Sequence, residues 1–111
     1  MDNTVSVLLG QSGGTFAAAV SYPVGMQPLQ LAVDDLDGDG QMDVVVTNAG
    51  AATVSILRGQ GGGTLRVTDT VAVGAQPMSV VVTDIDRDGQ KDILVGNNGA
   101  GTVSILFGKK I

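Results

Sequence analysis

The chain has 111 residues, enough for one small domain, and a net charge of −5 from 6 Lys+Arg and 11 Asp+Glu. All eleven acidic residues are Asp, and His, Cys and Trp are absent. The lack of His and Cys excludes imidazole acid–base catalysis, Ser-His and Cys-His nucleophile pairs, structural zinc sites and disulfides. The acidic balance argues against nucleic acid and anionic membranes as partners. We therefore expect neither an enzyme nor a protein that inserts into a membrane.

A repeat of 49 residues organises the chain. Thr4–Gly10 (TVSVLLG) recurs as Thr53–Gly59 (TVSILRG) and again as Thr102–Gly108 (TVSILFG), 49 residues apart in both cases. The Asp-rich segment 35–43 returns without a gap at 84–92. Fixed periods of this length are typical of repeat architectures such as β-propellers, whereas parallel β-solenoids repeat at shorter periods.

Four strand-like runs, bounded by turn residues, fill each unit. The chain contains no Glu, a good helix former, and is rich in Gly, Asp and Val, so an all-β fold is predicted. The runs are Leu29–Val33 (repeated at Met78–Thr83), Asp43–Thr47 (repeated at Asp92–Gly96), Thr53–Arg58, and Thr64–Val73, which is matched upstream by Thr15–Val24. We expect the first run, which is rich in apolar residues, to be buried on both faces.

Four antiparallel strands per unit are the anatomy of a β-propeller blade. The predicted module, residues 1–111, divides into strands three and four of a split blade (3–28), a complete blade (29–77) and strands one to three of the next blade (78–111). The Gln-Pro segments 25–28 and 74–77 suit the crossing between blades, because Pro removes an N–H donor that no strand ladder needs there.

Two Asp-rich loops carry the strongest chemical signal. In each loop carboxylates stand at positions 1, 3, 5 and 9, and position 6 is Gly. Four carboxylates within nine residues repel one another unless a hard cation lies among them, and Ca²⁺ accepts six to eight oxygens in a flexible shell. We predict about two Ca²⁺ per chain, bound by the four carboxylates and the backbone carbonyl at position 7. The predicted ligands are Asp35, Asp37, Asp39, Gln41 and Asp43 in the first loop, and Asp84, Asp86, Asp88, Gln90 and Asp92 in the second.

Three other interpretations of these loops fit less well. An EF-hand needs a bidentate Glu at position 12 and flanking helices, but position 12 is Val46 or Val95 within a predicted strand. Mg²⁺ demands stricter octahedral geometry and more water. A single Asp-Gly cluster can be a solvated turn, but two matched loops between predicted strands favour calcium.

The unit D-x-D-x-D-G-x-x-D, a short β run, N-x-G-x-x-T-V-S-I-L-x-G and a Gly-rich turn resembles the FG-GAP/VCBS repeat. That resemblance covers essentially the whole chain and implies a β-propeller, with Ca²⁺ bound by the ten loop residues. Repeats of this kind occur in integrin α-chain heads, fungal lectins of the Psathyrella type and bacterial surface proteins. The Phe-Gly pair survives only at Phe107-Gly108, and Gly-Ala-Pro is replaced at 25–28 and 74–77. These departures favour the bacterial type.

The remaining candidates are weaker. The Gly-rich segments 10–14 and 59–63 lack the Lys-Ser/Thr of a phosphate-binding loop, so hairpin turns are predicted. Loop amides could bond sugar hydroxyls, as in a lectin with sites between blades, although the chain has few aromatic residues. These candidate amides are Asn48, Asn97, Asn98, Gln27 and Gln76. Two function classes remain open: a calcium-stabilised scaffold that binds carbohydrate or protein, and a purely structural repeat module.

Two blades leave both lateral faces apolar, so we expect self-association into a ring, with a trimer favoured over a tetramer. The fourth strand of the C-terminal blade would come from Thr15–Val24 of a neighbouring copy, and Thr4–Gly10 and Thr102–Gly108 would compete for one position. The parent family implies an extracellular or cell-surface location. The chain start lacks the basic residues of a signal peptide.

Overall fold

The computed structural model describes residues 3–108, and its regular elements are all β-strands. This confirms the all-β prediction within that range; residues 1–2 and 109–111 of the predicted module lie outside it. The strands, numbered in chain order, are β1 (Thr4–Val7), β2 (Gly10–Gln11), β3 (Thr15–Phe16), β4 (Val20–Pro23), β5 (Pro28–Asp34), β6 (Asp43–Asn48), β7 (Thr53–Gly61), β8 (Thr64–Ala72), β9 (Pro77–Thr83), β10 (Asp92–Asn97) and β11 (Thr102–Leu106).

The central sheet contains β5, β6, β7 and β8 as an antiparallel meander in which each strand neighbours the next in the chain. Val45 lies opposite Ile56 across β6 and β7, and Val54 lies opposite Val71 across β7 and β8. The tight turn between β7 and β8 is Gly61–Gly63, where every φ is positive and glycine is therefore favoured. The four runs predicted for one unit thus form one four-stranded sheet.

Incomplete copies of this sheet lie on either side of it in the chain. On the C-terminal side β9, β10 and β11 form a three-stranded antiparallel sheet in the order β11-β10-β9. On the N-terminal side β1 pairs with β4 and β2 pairs with β3. Thr4 lies opposite Pro23 there, as Thr53 lies opposite Ala72 in the central sheet, so the register is the same one repeat earlier.

Apolar side chains cover both faces of the central sheet, because successive residues of a strand point to opposite sides. One face contacts the N-terminal strands, and the other contacts the C-terminal sheet. The N-side cluster has Val5, Val44, Val46 and Leu57 at its centre, packed against Tyr22, Val24 and Leu65. The C-side cluster has Val45, Val54, Ile56, Val80, Ile93 and Val95 at its centre, packed against Ala32, Leu36, Val71, Val73, Val82 and Leu106.

The prediction that the run Leu29–Val33 and its repeat Met78–Thr83 are buried on both faces is wrong for the single chain, and in the repeat Val81 is 55% exposed. Ala32 packs on the C-side cluster, but Leu31 and Val33 on the opposite face are 49% and 54% exposed. β5 is the edge strand of the central sheet, and the N-terminal sheets contain no counterpart of β5 or β6 among the described residues that could cover this face. Composition indicated an apolar strand correctly, but not what covers it.

A buried asparagine ends the second strand of each of the two larger sheets, and in the central sheet it also ties the hairpin to the segment that enters the sheet. Asn48 Nδ2 donates to Ser55 Oγ at 2.9 Å and to Thr53 Oγ1 at 3.2 Å, and its Oδ1 accepts the N–H of Gly25 at 3.2 Å. A Cβ on Gly25 would stand 2.8 Å from the Asn48 side chain, so a larger residue does not fit without a shift. Asn97 repeats both hydroxyl bonds one unit later, but its buried Oδ1 accepts no hydrogen bond from the described residues.

A search for membrane-spanning helices over the described residues finds no helix with the length and apolar character to cross a bilayer.

Candidate metal centre

The two Asp-rich loops occupy the same place in two sheets. Residues 35–42 connect β5 to β6, and residues 84–91 connect β9 to β10. Each loop therefore begins where a first strand ends, and its position-9 carboxylate, Asp43 or Asp92, is the first residue of the second strand. The sheet pairing holds the ends of each loop next to each other, with Asp34 opposite Asp43 and Thr83 opposite Asp92.

In each loop one oxygen from each of four carboxylates lies within 4.8 Å of all the others. Two oxygens bound to one Ca²⁺ at 2.3–2.6 Å can be at most roughly 5 Å apart, so a single ion can contact all four. Hard oxygen donors of this kind suit Ca²⁺. The residues present therefore fit the predicted ion. The two groups are Asp35, Asp37, Asp39 and Asp43, and Asp84, Asp86, Asp88 and Asp92.

Backbone N–H groups of the loop hold its first carboxylate in place. Asp35 accepts the N–H of Gly40 at 2.8 Å and that of Gly38 at 3.0 Å. In the second loop Asp84 accepts the N–H of Gly89 at 2.8 Å and that of Asp88 at 3.1 Å. The glycine at position 6 has a positive φ in both loops, which permits the sharp turn. The loop conformation is thus closed by its own hydrogen bonds.

The carboxylate at position 9 is fully buried and serves the fold as well. Asp43 Oδ2 accepts the N–H of Leu36 at 2.9 Å, and its Oδ1 accepts the N–H of Gly59 at 2.8 Å. Asp92 makes the equivalent bonds to Ile85 and Gly108 at 3.0 Å and 2.8 Å. One buried side chain therefore joins the start of the loop to the end of the third strand.

The glycine after each TVSIL-x segment lies directly against the loop. A Cβ on Gly59 would collide with the backbone carbonyl of Met42, and one on Gly108 would collide with that of Lys91. Gly10 is the third member of the series. Among the described residues no Asp-rich loop lies against it, and a Cβ there would meet nothing within 4 Å. The repeated glycine is therefore a packing requirement of the loop where the loop is present.

The pKa is lowered for Asp35 and Asp84, the first carboxylates of the two loops, and raised for Asp86. The N–H of Gly40 is the main cause that lowers the pKa of Asp35, against an opposing effect of desolvation. For Asp84 desolvation acts to raise the pKa, but the N–H groups of Gly89 and Asp88 outweigh it and the pKa is lowered. Desolvation, together with Asp88, raises the pKa of Asp86. The second loop therefore holds negative charges close enough to disfavour one another's ionisation.

A cation distinguishes the first loop from the second. Arg58 Nη1 is 3.7 Å from Asp37 Oδ2 and 3.7 Å from Asp43 Oδ2, and the equivalent residue of the next unit is Phe107. Lys91 of the second loop is directed elsewhere, with its Nζ 3.4 Å from Asp34 Oδ2 of the neighbouring sheet. Sequence reasoning missed the position of Arg58, because only the fold brings strand β7 against the first loop.

Two of the five amides considered for sugar binding are unsuited to it. Asn48 and Asn97 are buried, and their side chains bond to hydroxyls of their own hairpins. The expectation that they are loop residues available to a ligand is wrong, because each ends a strand. Their recurrence 49 residues apart, each followed by the TVS segment, was the available sign of a structural role. The amides at 27, 76 and 98 are exposed.

The predicted backbone ligands at position 7 remain predictions. Gln41 and Gln90 each donate their N–H to the position-5 carboxylate, at 2.8 Å to Asp39 and 2.8 Å to Asp88. The side chain of Gln41 is exposed, and Gln90 is half-buried.

The fold and the loops together define an all-β repeat protein in which two repeats each carry an acidic loop whose carboxylates fit a single cation. A family model for the FG-GAP-like repeat matches residues 1–46 and 35–95. The matches extend over most of the chain, which belongs to this family. Searches of curated proteins and of solved structures return no significant match.

Replacing the buried and the exposed carboxylate of one loop separates structural from metal-binding roles. With a chelator present, we expect Asp43→Ala to lower the free energy of unfolding by about 2–3 kcal/mol, because two partly buried N–H groups lose a buried, charged acceptor. Asp39→Ala removes an exposed side chain that bonds only within the loop, so under chelator it leaves stability unchanged or slightly raised. Urea unfolding measures both variants, and equal losses would contradict the buried role of Asp43.

Proposed function

We propose that the chain is a calcium-binding β-propeller module that acts as a non-enzymatic structural or binding scaffold. The observation that carries this proposal is the repeated acidic loop. At the same place in two sheets, 49 residues apart, four carboxylate oxygens converge within 4.8 Å. Membership of the FG-GAP-like repeat family supports the propeller architecture, and the meander of β5 to β8 has the strand order of one blade.

The residues that would hold the ion are those predicted from the sequence. Asp35, Asp37, Asp39 and Asp43 would bind one Ca²⁺ with the carbonyl of Gln41, and the second loop would bind another in the same way. Bound calcium would supply positive charge among the carboxylates and would tie the first and second strands of each sheet together. Because the ligands do not meet in the unfolded chain, binding stabilises the folded state.

Scaffold proteins of this family typically lie outside the cell and catalyse no reaction, and we propose both properties for this chain. The composition supports the second, since without His or Cys the chain has no Ser-His or Cys-His pair. The exposed carboxylates of the loops are accounted for by cation binding. We propose an extracellular or cell-surface location.

Self-association completes the proposed architecture. A propeller closes with four to eight blades, and the described residues provide one complete four-stranded sheet with partial sheets before and after it. Large apolar residues of the partial sheets are exposed, among them Val103 at 64%. A soluble protein rarely leaves such faces uncovered. We propose that copies of the chain join in a closed ring, and we favour a trimer over a tetramer.

Removing calcium should destabilise the protein. We expect a chelator to lower the melting temperature, and calorimetric titration of the chelated protein to find about two sites per chain. By analogy with extracellular modules, their Kd should be roughly 10⁻⁴–10⁻³ M or tighter.

The double variant Asp39→Ala/Asp88→Ala should melt like the chelated wild type and respond no further to chelator. Its matched control is Asp69→Ala, which removes an exposed carboxylate outside both loops. A melting curve that chelator does not move would refute calcium binding.

The two sites should differ in affinity because of Arg58. Its guanidinium interacts with two carboxylates of the first loop, so it competes with and repels a bound cation. Arg58→Phe installs the residue that the next unit has at this place, and we expect the first site to tighten roughly three- to tenfold. The control is Arg66→Phe, which removes an equal charge from the residue opposite Arg58 on β8; among the described residues Arg66 forms no ion pair with the loop. Calorimetry that finds the first site unchanged in Arg58→Phe would overturn this.

The assembly can be tested by light scattering on the calcium-loaded protein. We expect a single species with three times the mass of one chain, with four times as the next candidate. The mass should not change on modest dilution, because a closed ring is held by every contact at once. A monodisperse monomer would end the self-association proposal and would leave the calcium proposal untouched.

A further inference from the structure

The C-terminal sheet has an open apolar face whose counterpart one repeat earlier is buried. Val103 and Ile105 are 64% and 43% exposed, whereas their equivalents Val54 and Ile56 are 0% and 7% exposed. Val81 on the same sheet is 55% exposed. We call this the C-terminal open face, formed by Val81, Leu94, Val103 and Ile105, which are the repeat equivalents of Ala32, Val45, Val54 and Ile56.

The central sheet has an open face at its first strand. Leu31 and Val33 of β5 are about half exposed, whereas Val80, the equivalent of Leu31, is 7% exposed. Val82, the equivalent of Val33, packs on the C-side cluster. We call Leu31 and Val33 the N-terminal open face.

These open faces are the two halves of a contact that the chain already makes once. In the C-side cluster Ala32, Val45, Val54 and Ile56 of the central sheet pack against Val80, Val82, Ile93 and Val95 of the next sheet. The residues 49 positions after the first group are those of the C-terminal open face. The residues 49 positions before Val80 and Val82 are Leu31 and Val33, which are exposed, whereas those 49 positions before Ile93 and Val95 are Val44 and Val46, which the N-side cluster already buries.

We infer that a second copy of this chain covers Val81 and Leu94 of the C-terminal open face with its own N-terminal open face. The inference rests on the self-association proposed above and names its surfaces. Val81 and Leu94 of one copy contact Leu31 and Val33 of the next, as Ala32 and Val45 contact Val80 and Val82 within one chain. Two different surfaces meet, so the contact is head-to-tail and repeats around a ring.

The strand edges are consistent with this direction. β11 pairs only with β10 among the described residues, whereas its equivalent β7 also pairs with β8. β1 is likewise equivalent to β7, so one of the two strands stands between β10 of one copy and β4 of the next. The contact of Val81 and Leu94 with Leu31 and Val33 is the same in both arrangements, because these residues lie on the first two strands.

Two charge variants and their mixture test the contact. Leu31→Lys alters only the N-terminal open face and Val81→Glu alters only the C-terminal one. Both residues are exposed in the single chain, so circular dichroism should show native folding. We expect each variant alone to have the mass of one chain, because every contact in its ring would bury one unpaired charge.

Mixed in equal amounts, the two variants should associate into species heavier than one chain. The unaltered C-terminal open face of the Leu31→Lys variant meets the unaltered N-terminal open face of the Val81→Glu variant, which restores the wild-type contact. Where the two altered faces meet, the introduced side chains carry opposite charges. Light scattering on the separate variants and on the mixture measures all three masses.

Met26→Lys is the matched control, since Met26 is 60% exposed but lies in the connection between β4 and β5, outside both faces. It should keep the mass of the wild type.

If the wild type is a monomer, self-association itself fails. If the wild type assembles and both variants do too, the two faces are wrong. If both variants are monomers that do not assemble when mixed, the contact is not head-to-tail.

Discussion

A buried carboxylate connects the loop chemistry to the fold in both repeats, and much of the structure depends on it. Asp43 and Asp92 are fully buried, and a buried charge is tolerated only when it is paired or hydrogen-bonded. Each accepts one N–H from the start of its loop and one from the end of the third strand. The loop therefore cannot change its position without disturbing the sheet, and the glycine that supplies the second N–H has no room for a side chain.

Spacing alone predicted most of the strands and the loop positions, because both are local, but the run predicted as one strand, Thr15–Val24, forms two short strands, β3 and β4, that pair with different partners. Period-two alternation in Thr53–Arg58 indicates which residues lie on the same face of the strand. Asp at positions 1, 3, 5 and 9 indicates a loop that brings its carboxylates together. The burial of Asn48 could not be read in this way, because it depends on Gly25 in a separate segment. The proximity of Arg58 to the first loop is likewise a product of sheet pairing. What the sequence left open was which surfaces face each other.

Identical segments have different surroundings along this chain. Val54 and Val103 occupy the same place in the repeat, yet one is fully buried and the other largely exposed. The difference comes from the neighbouring sheet, since β7 has β8 beside it and the C-side cluster over it, whereas β11 has neither among the described residues. Burial in a repeat protein is thus a property of neighbours as much as of sequence, and stability is shared between units.

The hydrogen bonds between distant segments, which we call ties, also determine where new chain termini can be introduced. The Asn48 bond to Gly25 spans β5 and β6, and the Asp43 bond to Gly59 spans the β6–β7 hairpin. Both ties lie before the turn at Gly61–Gly63, and the Asp92 bond to Gly108, which repeats the second of them in the next unit, lies after it. Exposed turns of this kind tolerate new termini. A circular permutant that starts within this turn would leave all three ties inside a continuous stretch of chain, so the β7–β8 hairpin can be opened without cutting any of them.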